Sequence, residues 1–254
     1  MESTTVIKAL GLLEALATTE RGRSLAELAV EMGLPKPTAH RLLKTLSIAG
    51  YASKADPGFY RAGPALDRLT SRGTDDALRD VARPILGHLH KVTRETVNLG
   101  VLRQREIVYL AVLESPQPLR RVVEANSSDP FYCTALGRAI VAQLPSAQRE
   151  YLLSSIKMTR RTAKTVVKRA SLAAILDEAR RQGYAIESDQ TDVGVTCLAA
   201  PIFDSRGVRA ALSLSVPSPR MTGEHADRWL ALVQSSAAKI SRLLKSRTPR
   251  TPRG

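Results

Sequence analysis

Apolar residues recur at helical spacing through the first fifty positions of this chain. Val6, Leu10, Leu13 and Leu16 fall three or four apart and predict an amphipathic first helix. Ser24 precedes LAELAVEM with Glu27 three residues on, the capping-box start of a second helix. Gly33 supplies a left-handed stop after it. Pro37 suits the first turn of a third helix, and Lys36 belongs at its cap because a residue before proline avoids the helical region. In that helix Ala39, Leu42, Leu43 and Leu46 follow i, i+3, i+4, i+7 and form one stripe. Arg41 and Lys44 fall nearly opposite, with His40 and Thr45 on the flanks. Gly50 ends the helix. YASKADPGFYRAG then reads as two short extended runs around an Asp56-Pro57-Gly58 turn.

The pattern changes after Pro64. A linker helix is expected from Pro64 to about Arg72, and Asp75 can cap a new helix carrying Leu78, Val81, Ala82, Ile85, Leu86 and Leu89. Strands are expected at ETVNLGVL, EIVYLAVLE and LRRVVEA, then helices at CTALGRAIVAQL, SAQREYLLSSI and SLAAILDEARRQG. Three more strands follow at GYAIESD, VTCLAAPIFD and VRAALSLSVP, the last two joined by an Asp204-Ser205-Arg206-Gly207 turn. A final amphipathic helix runs from about Gly223 to Leu244 with Trp229, Leu232, Val233, Ile240 and Leu243. Six strands with helices gathered around them predict an α+β, sensor-like domain. The expected organisation is a winged helix-turn-helix over 1–63, with its helix-turn-helix at about 24–46. A linker helix over 64–74 and a second domain over 75–246 follow, and 247–254 is expected to be a disordered basic tail.

Composition narrows the function. The chain has 254 residues, 43% of them hydrophobic, and a formal net charge of +14, which favours a polyanionic partner. Lys157, Arg160, Arg161, Lys164, Lys168 and Arg169 cluster with no acid among them, and a second basic run ends the chain. Two distant cysteines, Cys133 and Cys197, make no disulfide framework and no metal spacing. No export signal and no apolar run near the ~18 residues of a membrane helix are visible, so the expectation is a cytoplasmic protein away from membranes. Metals and cofactors are not expected.

Helix, helix, turn, helix and hairpin within about 60 residues make a DNA reader. Guanidinium can bond guanine bidentately and ammonium neutralises phosphate. The candidate DNA contacts are Lys36, Thr38, His40, Arg41, Lys44 and Thr45 on the third helix, with Lys54 and Arg61 on the hairpin.

At LAELAVEMGLPKPTAHRLLKTLSIAGY, at CTALGRAIVAQL, and most specifically at GYAIESDQTDVGVTCLAAPIFDSRGVRAALSLSVPSPRM, the chain resembles the isocitrate-lyase-regulator (IclR) family of bacterial transcription factors. The resemblance implies a GAF-like effector-binding domain after the winged helix. It also implies a homodimer or homotetramer on double-stranded inverted-repeat DNA, and control, expected to be repression, by a small metabolite such as a carboxylate. It carries the effector site onto Ala135, Leu136, Gly137, Glu187, Cys197, Ser213 and Ser215. Elementary chemistry agrees in part. A helix start near Thr134 offers free N–H groups to an anion, and Ser213 and Ser215, two apart on a strand, face one side. Glu187 as a carboxylate would repel an anion unless protonated or paired. Three positions depart from the family pattern: Thr196 for a common Arg, Arg138 for a common Lys, and Gln190 for a common acid.

Two other classes were open to the sequence. One is a thiol enzyme using Cys133 or Cys197 with a histidine, although no catalytic motif accompanies them. The other is an architectural DNA-binding protein using bulk charge, which needs no second domain with a pocket and shows a steep salt slope.

Overall fold

A computed structural model describes residues 3–18, 22–54 and 58–247. Backbone packing divides the chain between Asp76 and Ala77.

The first part holds α1 (Thr4–Ala17), β1 (Arg23–Ser24), α2 (Leu25–Glu31), α3 (Lys36–Ile48), β2 (Ala52–Lys54) and β3 (Phe59–Ala62). The Ser24 hydroxyl accepts from the Glu27 N–H at 3.2 Å and the Glu27 carboxylate accepts from the Ser24 N–H at 2.7 Å, closing the expected capping box. Gly33 adopts φ +58, the left-handed stop between α2 and α3. Ala39, Leu42, Leu43 and Leu46 are all buried, together with Leu28, Leu34 and Tyr60.

Three details differ from expectation. On α1 the inward face is Leu12, Ala15 and Leu16; Val6 and Leu10 are about half exposed, because the small core is already closed by the α2–α3 pair. Pro35, not Lys36, caps α3, and Lys36 is its first residue. The wing has a third strand: β1 pairs with β3, giving the order β1-β3-β2. The Asp56-Pro57 part of the turn lies outside the described residues, as do residues 248–254 of the expected tail; Arg247 ends the last helix.

Next comes α4 (Pro64–Thr93), a single helix of 30 residues. The expected break between a linker ending near Gly73 and a new helix capped by Asp75 is absent. A helical glycine costs only about 1 kcal/mol against alanine, too little to stop a helix that then buries Leu78, Val81, Ala82, Ile85, Leu86 and Leu89.

The second part continues with β4 (Thr96–Arg103), β5 (Glu106–Leu113), β6 (Ser128–Pro130), α5 (Ala135–Gln143), α6 (Ser146–Ser155) and α7 (Arg169–Gln182). It ends with β7 (Ala185–Ser188), β8 (Val195–Asp204), β9 (Gly207–Pro217) and α8 (Gly223–Arg247). The sheet order is β6-β5-β4-β9-β8-β7, antiparallel throughout. Strand side chains alternate between faces. Val97, Leu99, Leu198, Leu212 and Leu214 pack with α4 and with Val233 and Ile240 of α8. Ile107, Tyr109, Cys197 and Ala211 turn the other way, towards α5, α6 and α7.

The strand expected at LRRVVEA is absent; the sixth strand is β6 instead. Within that segment Leu119 and Val122 are exposed while Arg121 and Val123 are buried. An arginine has taken an inward place that the apolar pattern assigns to a leucine or valine.

Candidate functional site

The exposed side of α3 is set by its buried stripe. Lys36, His40, Arg41, Lys44 and Thr45 point to solvent, and Thr38 is half-buried. The Thr45 hydroxyl donates to the Arg41 carbonyl at 3.0 Å, within the helix. Among the described residues no acid pairs with Lys36, Arg41 or Lys44. On the wing Lys54 and Arg61 are exposed, and Arg61 Nε donates to Ser53 Oγ at 3.2 Å.

A narrow cavity lies on the α5 face of the six-stranded sheet. Its floor runs across the strands: Tyr109 on β5, Ser213 and Ser215 on β9, Cys197 on β8 and Glu187 on β7. Thr134, Ala135 and Leu136 at the start of α5, Arg121 from the β5–β6 connection and Thr191 from the β7–β8 connection close it.

The α5 start leaves two amides without an acceptor in the helix. Thr134 is the N-cap, and its hydroxyl accepts only the Gly137 N–H at 3.1 Å. The N–H groups of Ala135 and Leu136, as the first two of the helix, have no acceptor within it. On the floor, Asn98 Nδ2 donates to Ser213 Oγ at 3.2 Å and to Ser215 Oγ at 3.1 Å. Its Oδ1 is buried with no partner among the described residues. Cys197 Sγ lies 3.3 Å from Ser215 Oγ.

Arg121 anchors the opposite end. Its Nη1 donates to the Tyr109 hydroxyl at 3.1 Å, its Nη2 to Asp129 at 2.9 Å and its Nε to Asp192 at 2.7 Å. Tyr109 donates to the same Asp129 oxygen at 2.8 Å, and Arg161 bonds the other at 2.8 Å. Burial works against the Arg121 charge, but its bonded carboxylates, Asp129 and Asp192, outweigh it and hold the guanidinium protonated. Burial pushes the Tyr109 phenol up.

Six of the seven residues assigned to the effector site therefore line one cavity. Gly137 does not: it lies behind the wall, packed on the Phe131 backbone. Sequence reasoning missed Tyr109, Arg121 and Thr191, and gave Thr134 only as a helix start. Two of the departures from the family pattern meet each other. Arg138, 1% exposed, donates to the Gln190 side-chain oxygen and, at 2.9 Å, to the Tyr132 carbonyl. Thr196 bonds Ser188 and Ser218 instead. The basic run at 157–169 is partly neutralised by acids distant in sequence, Asp129 and Asp189.

The thiols suit packing rather than nucleophilic attack. Both are buried. Desolvation raises Cys133 to about 11 and raises Cys197 further, the reverse of what an activated thiolate needs. Cys133 donates to the Pro130 carbonyl. Among the described residues no cluster of His, Cys, Asp and Glu could hold a metal ion, and no helix is long and apolar enough to cross a membrane.

Residues 74–242 match the family described as bacterial transcriptional regulator IclR C-terminal, and residues 5–56 match the IclR helix-turn-helix domain. The HTH-type transcriptional regulator KdgR of Escherichia coli K12 is 31% identical over 241 residues, 93% of this chain and 90% of that protein. The transcriptional repressor IclR of the same organism is 30% identical over 239 residues, 92% and 87% of the two chains. The crystal structure of Thermotoga maritima IclR superposes with a TM-score of 0.65 at 26% identity, covering 94% of this chain and 98% of that one.

Proposed function

This chain belongs to the IclR family of bacterial transcriptional regulators, and we propose from that premise that it is a cytoplasmic repressor released from or locked onto DNA by a small carboxylate. The protein is a DNA-binding regulator with a C-terminal effector-binding domain; a repressor role fits its relatives. The observation that carries the DNA reading is the basic face of α3, with Arg41 and Lys44 exposed opposite the buried stripe. In a major groove that face meets base edges and phosphates.

The test uses a duplex recovered by selection from randomised DNA. Arg41→Ala is expected to weaken it by about 1–3 kcal/mol and to relax preference at one base pair. Lys44→Ala and Arg61→Ala should weaken all sequences alike and reduce the salt slope. A folded Arg41 variant that binds the selected duplex as tightly as wild type would sink the assignment.

One winged helix reads too few bases for genomic selectivity, so the reading includes a homodimer or homotetramer on an inverted repeat. Val6, Ile7 and Leu10, each more than half exposed along one helix, support pairing of two copies through α1. Light scattering on the protein–DNA complex gives the stoichiometry, and a monomer would reject it.

The effector reading rests on the cavity. Amides of Ala135 and Leu136 and hydroxyls of Ser213 and Ser215 can hold a carboxylate, with Leu136 and Cys197 bounding its size. Ser213→Ala with Ser215→Ala should remove about 1–3 kcal/mol of effector binding. Asn98 loses both its acceptors in that variant, so its melting temperature should fall too and is measured alongside. A screen of small carboxylates by thermal shift supplies the ligand, since one at about 100 times its Kd adds roughly 2.7 kcal/mol. A double variant that binds the ligand at full strength would place the pocket elsewhere. For the effector to alter DNA affinity it must favour one state of the protein over another. The α4 helix, with residues on both sides of the Asp76–Ala77 boundary, is the proposed route.

A further inference from the structure

The carboxylate reading sets one anion beside another, because Glu187 lines the same wall. Glu187 is 2% exposed and pairs across the sheet with Cys197. Its Oε2 accepts the Gln190 N–H at 3.0 Å. The charged and titratable groups that face it are Cys197 from β8, Arg138 from α5, Cys133 just before α5, and Arg121 from the β5–β6 connection. Neither arginine is bonded to it. Arg138 is engaged by the Tyr132 carbonyl and the Gln190 side chain, and Arg121 by Tyr109, Asp129 and Asp192. Among the described residues no ion pair includes Glu187.

A buried carboxylate without a bonded cation favours its neutral form. Here burial pushes Glu187 up, and the Gln190 N–H, the Cys197 thiol and the two arginines offset only part of that. The neighbouring thiols and the Tyr109 phenol are pushed up, away from neutral pH. Asp129 and Asp192 are held by Arg121.

We infer that the pocket takes up a small monocarboxylate together with one proton, which Glu187 holds and donates to the bound carboxylate. This rests on the carboxylate reading above. Above the free-site pKa of Glu187 the proton comes from solvent, so an anion and a proton enter and the net charge of the pocket is unchanged; below it Glu187 already carries the proton and none is taken up. The helix-start amides and the serine hydroxyls hold the remaining lone pairs of the ligand. Linkage fixes the sign. An anion that needs neutral Glu187 binds fully below the free-site pKa of that group and loses up to tenfold in affinity for each pH unit above it.

The experiment is calorimetry on the full chain from about pH 5.5 to 9, a span that starts above the ordinary glutamate value. The probe is the tightest binder among acetate, lactate, butyrate and benzoate. Two buffers of different ionisation enthalpy report proton uptake. Wild type is expected to take up as much as one proton and to weaken as pH rises. Glu187→Gln is expected to take up none, and its advantage over wild type should widen by up to tenfold per pH unit, a gain that a merely structural glutamate would not give. If the variant does not fold, proton uptake by wild type alone decides the matter. Affinity that is flat with pH and binding without proton uptake overturn the inference, as does a glutamine variant that keeps the wild-type slope. If no probe binds wild type at any pH, the carboxylate reading itself fails and the inference falls with it. That outcome is distinguishable because it needs no variant.

Discussion

Asp129→Ala should destabilise the second part by about 3–5 kcal/mol, the usual consequence of removing one partner from a buried charge pair. Asp129 accepts from three side chains: Arg121 and Tyr109 on one oxygen, Arg161 on the other. The Arg121 side chain is 9% exposed and that of Asp129 is 12% exposed. Without the carboxylate, Arg121 keeps the Tyr109 hydroxyl and Asp192, whose side chain is 45% exposed, and Tyr109 loses its acceptor in a desolvated place. Urea unfolding measures the loss. Asp192→Ala is the built-in comparison: as a half-exposed pair it should cost no more than about 1 kcal/mol. Equal losses in the two variants would show that burial does not set the strength of this network. Arg121 lines the pocket, so Asp129→Ala is also expected to weaken the effector response beyond its effect on melting.

Gly137→Ala should be at least as damaging, although alanine is the better helix former by about 1 kcal/mol. A Cβ there would sit 2.3 Å from the Phe131 carbonyl oxygen and 2.4 Å from its Cα. Those are backbone atoms, which cannot rotate aside. Overpacking commonly costs about 1–3 kcal/mol, and a clash with main chain on two atoms places this variant at the upper end or beyond. The start of α5 would have to lift, moving the Ala135 and Leu136 amides from the pocket wall. Gly87→Ala in α4 is the control: nothing lies within 4 Å of its Cβ position, so it should raise stability by up to about 1 kcal/mol. If Gly137→Ala melts with Gly87→Ala, the packing of α5 on Phe131 is looser than the distances state.

The sequence made α2 and α3 legible because their determinants are local. A capping box, a left-handed glycine and an i, i+3, i+4, i+7 stripe need no knowledge of the rest of the chain. The same holds for β8 and β9, whose long apolar runs match their observed bounds within one residue. Failures occurred where a residue takes its place from something distant. Arg121 points inward because Asp129 and Tyr109 wait there, and no window of seven residues contains that reason. β1 is two residues long and exists only by pairing with β3. The continuity of α4 past Gly73 comes from the stripe beyond it, which outweighs a local helix breaker. At the candidate pocket, resemblance supplied Ala135, Leu136, Glu187, Cys197, Ser213 and Ser215. Tyr109, Arg121 and Thr191 come from separate connections and strands that only the folded sheet brings together.

The sheet also separates two kinds of inheritance. Along β9, Leu212, Leu214 and Val216 serve the layer formed with α4 and α8, while Ala211, Ser213 and Ser215 serve the opposite face. With the effector site as proposed, duplicated genes of this type could drift in what they sense by changing alternate codons, leaving the layer that carries α4 unaltered. The same arrangement makes the strand intolerant of length change. Deleting a single codon within β9 would turn leucines onto the cavity floor and hydroxyls into the apolar layer in one step, so divergence among such copies should proceed by substitution and almost never by insertion or deletion at this strand.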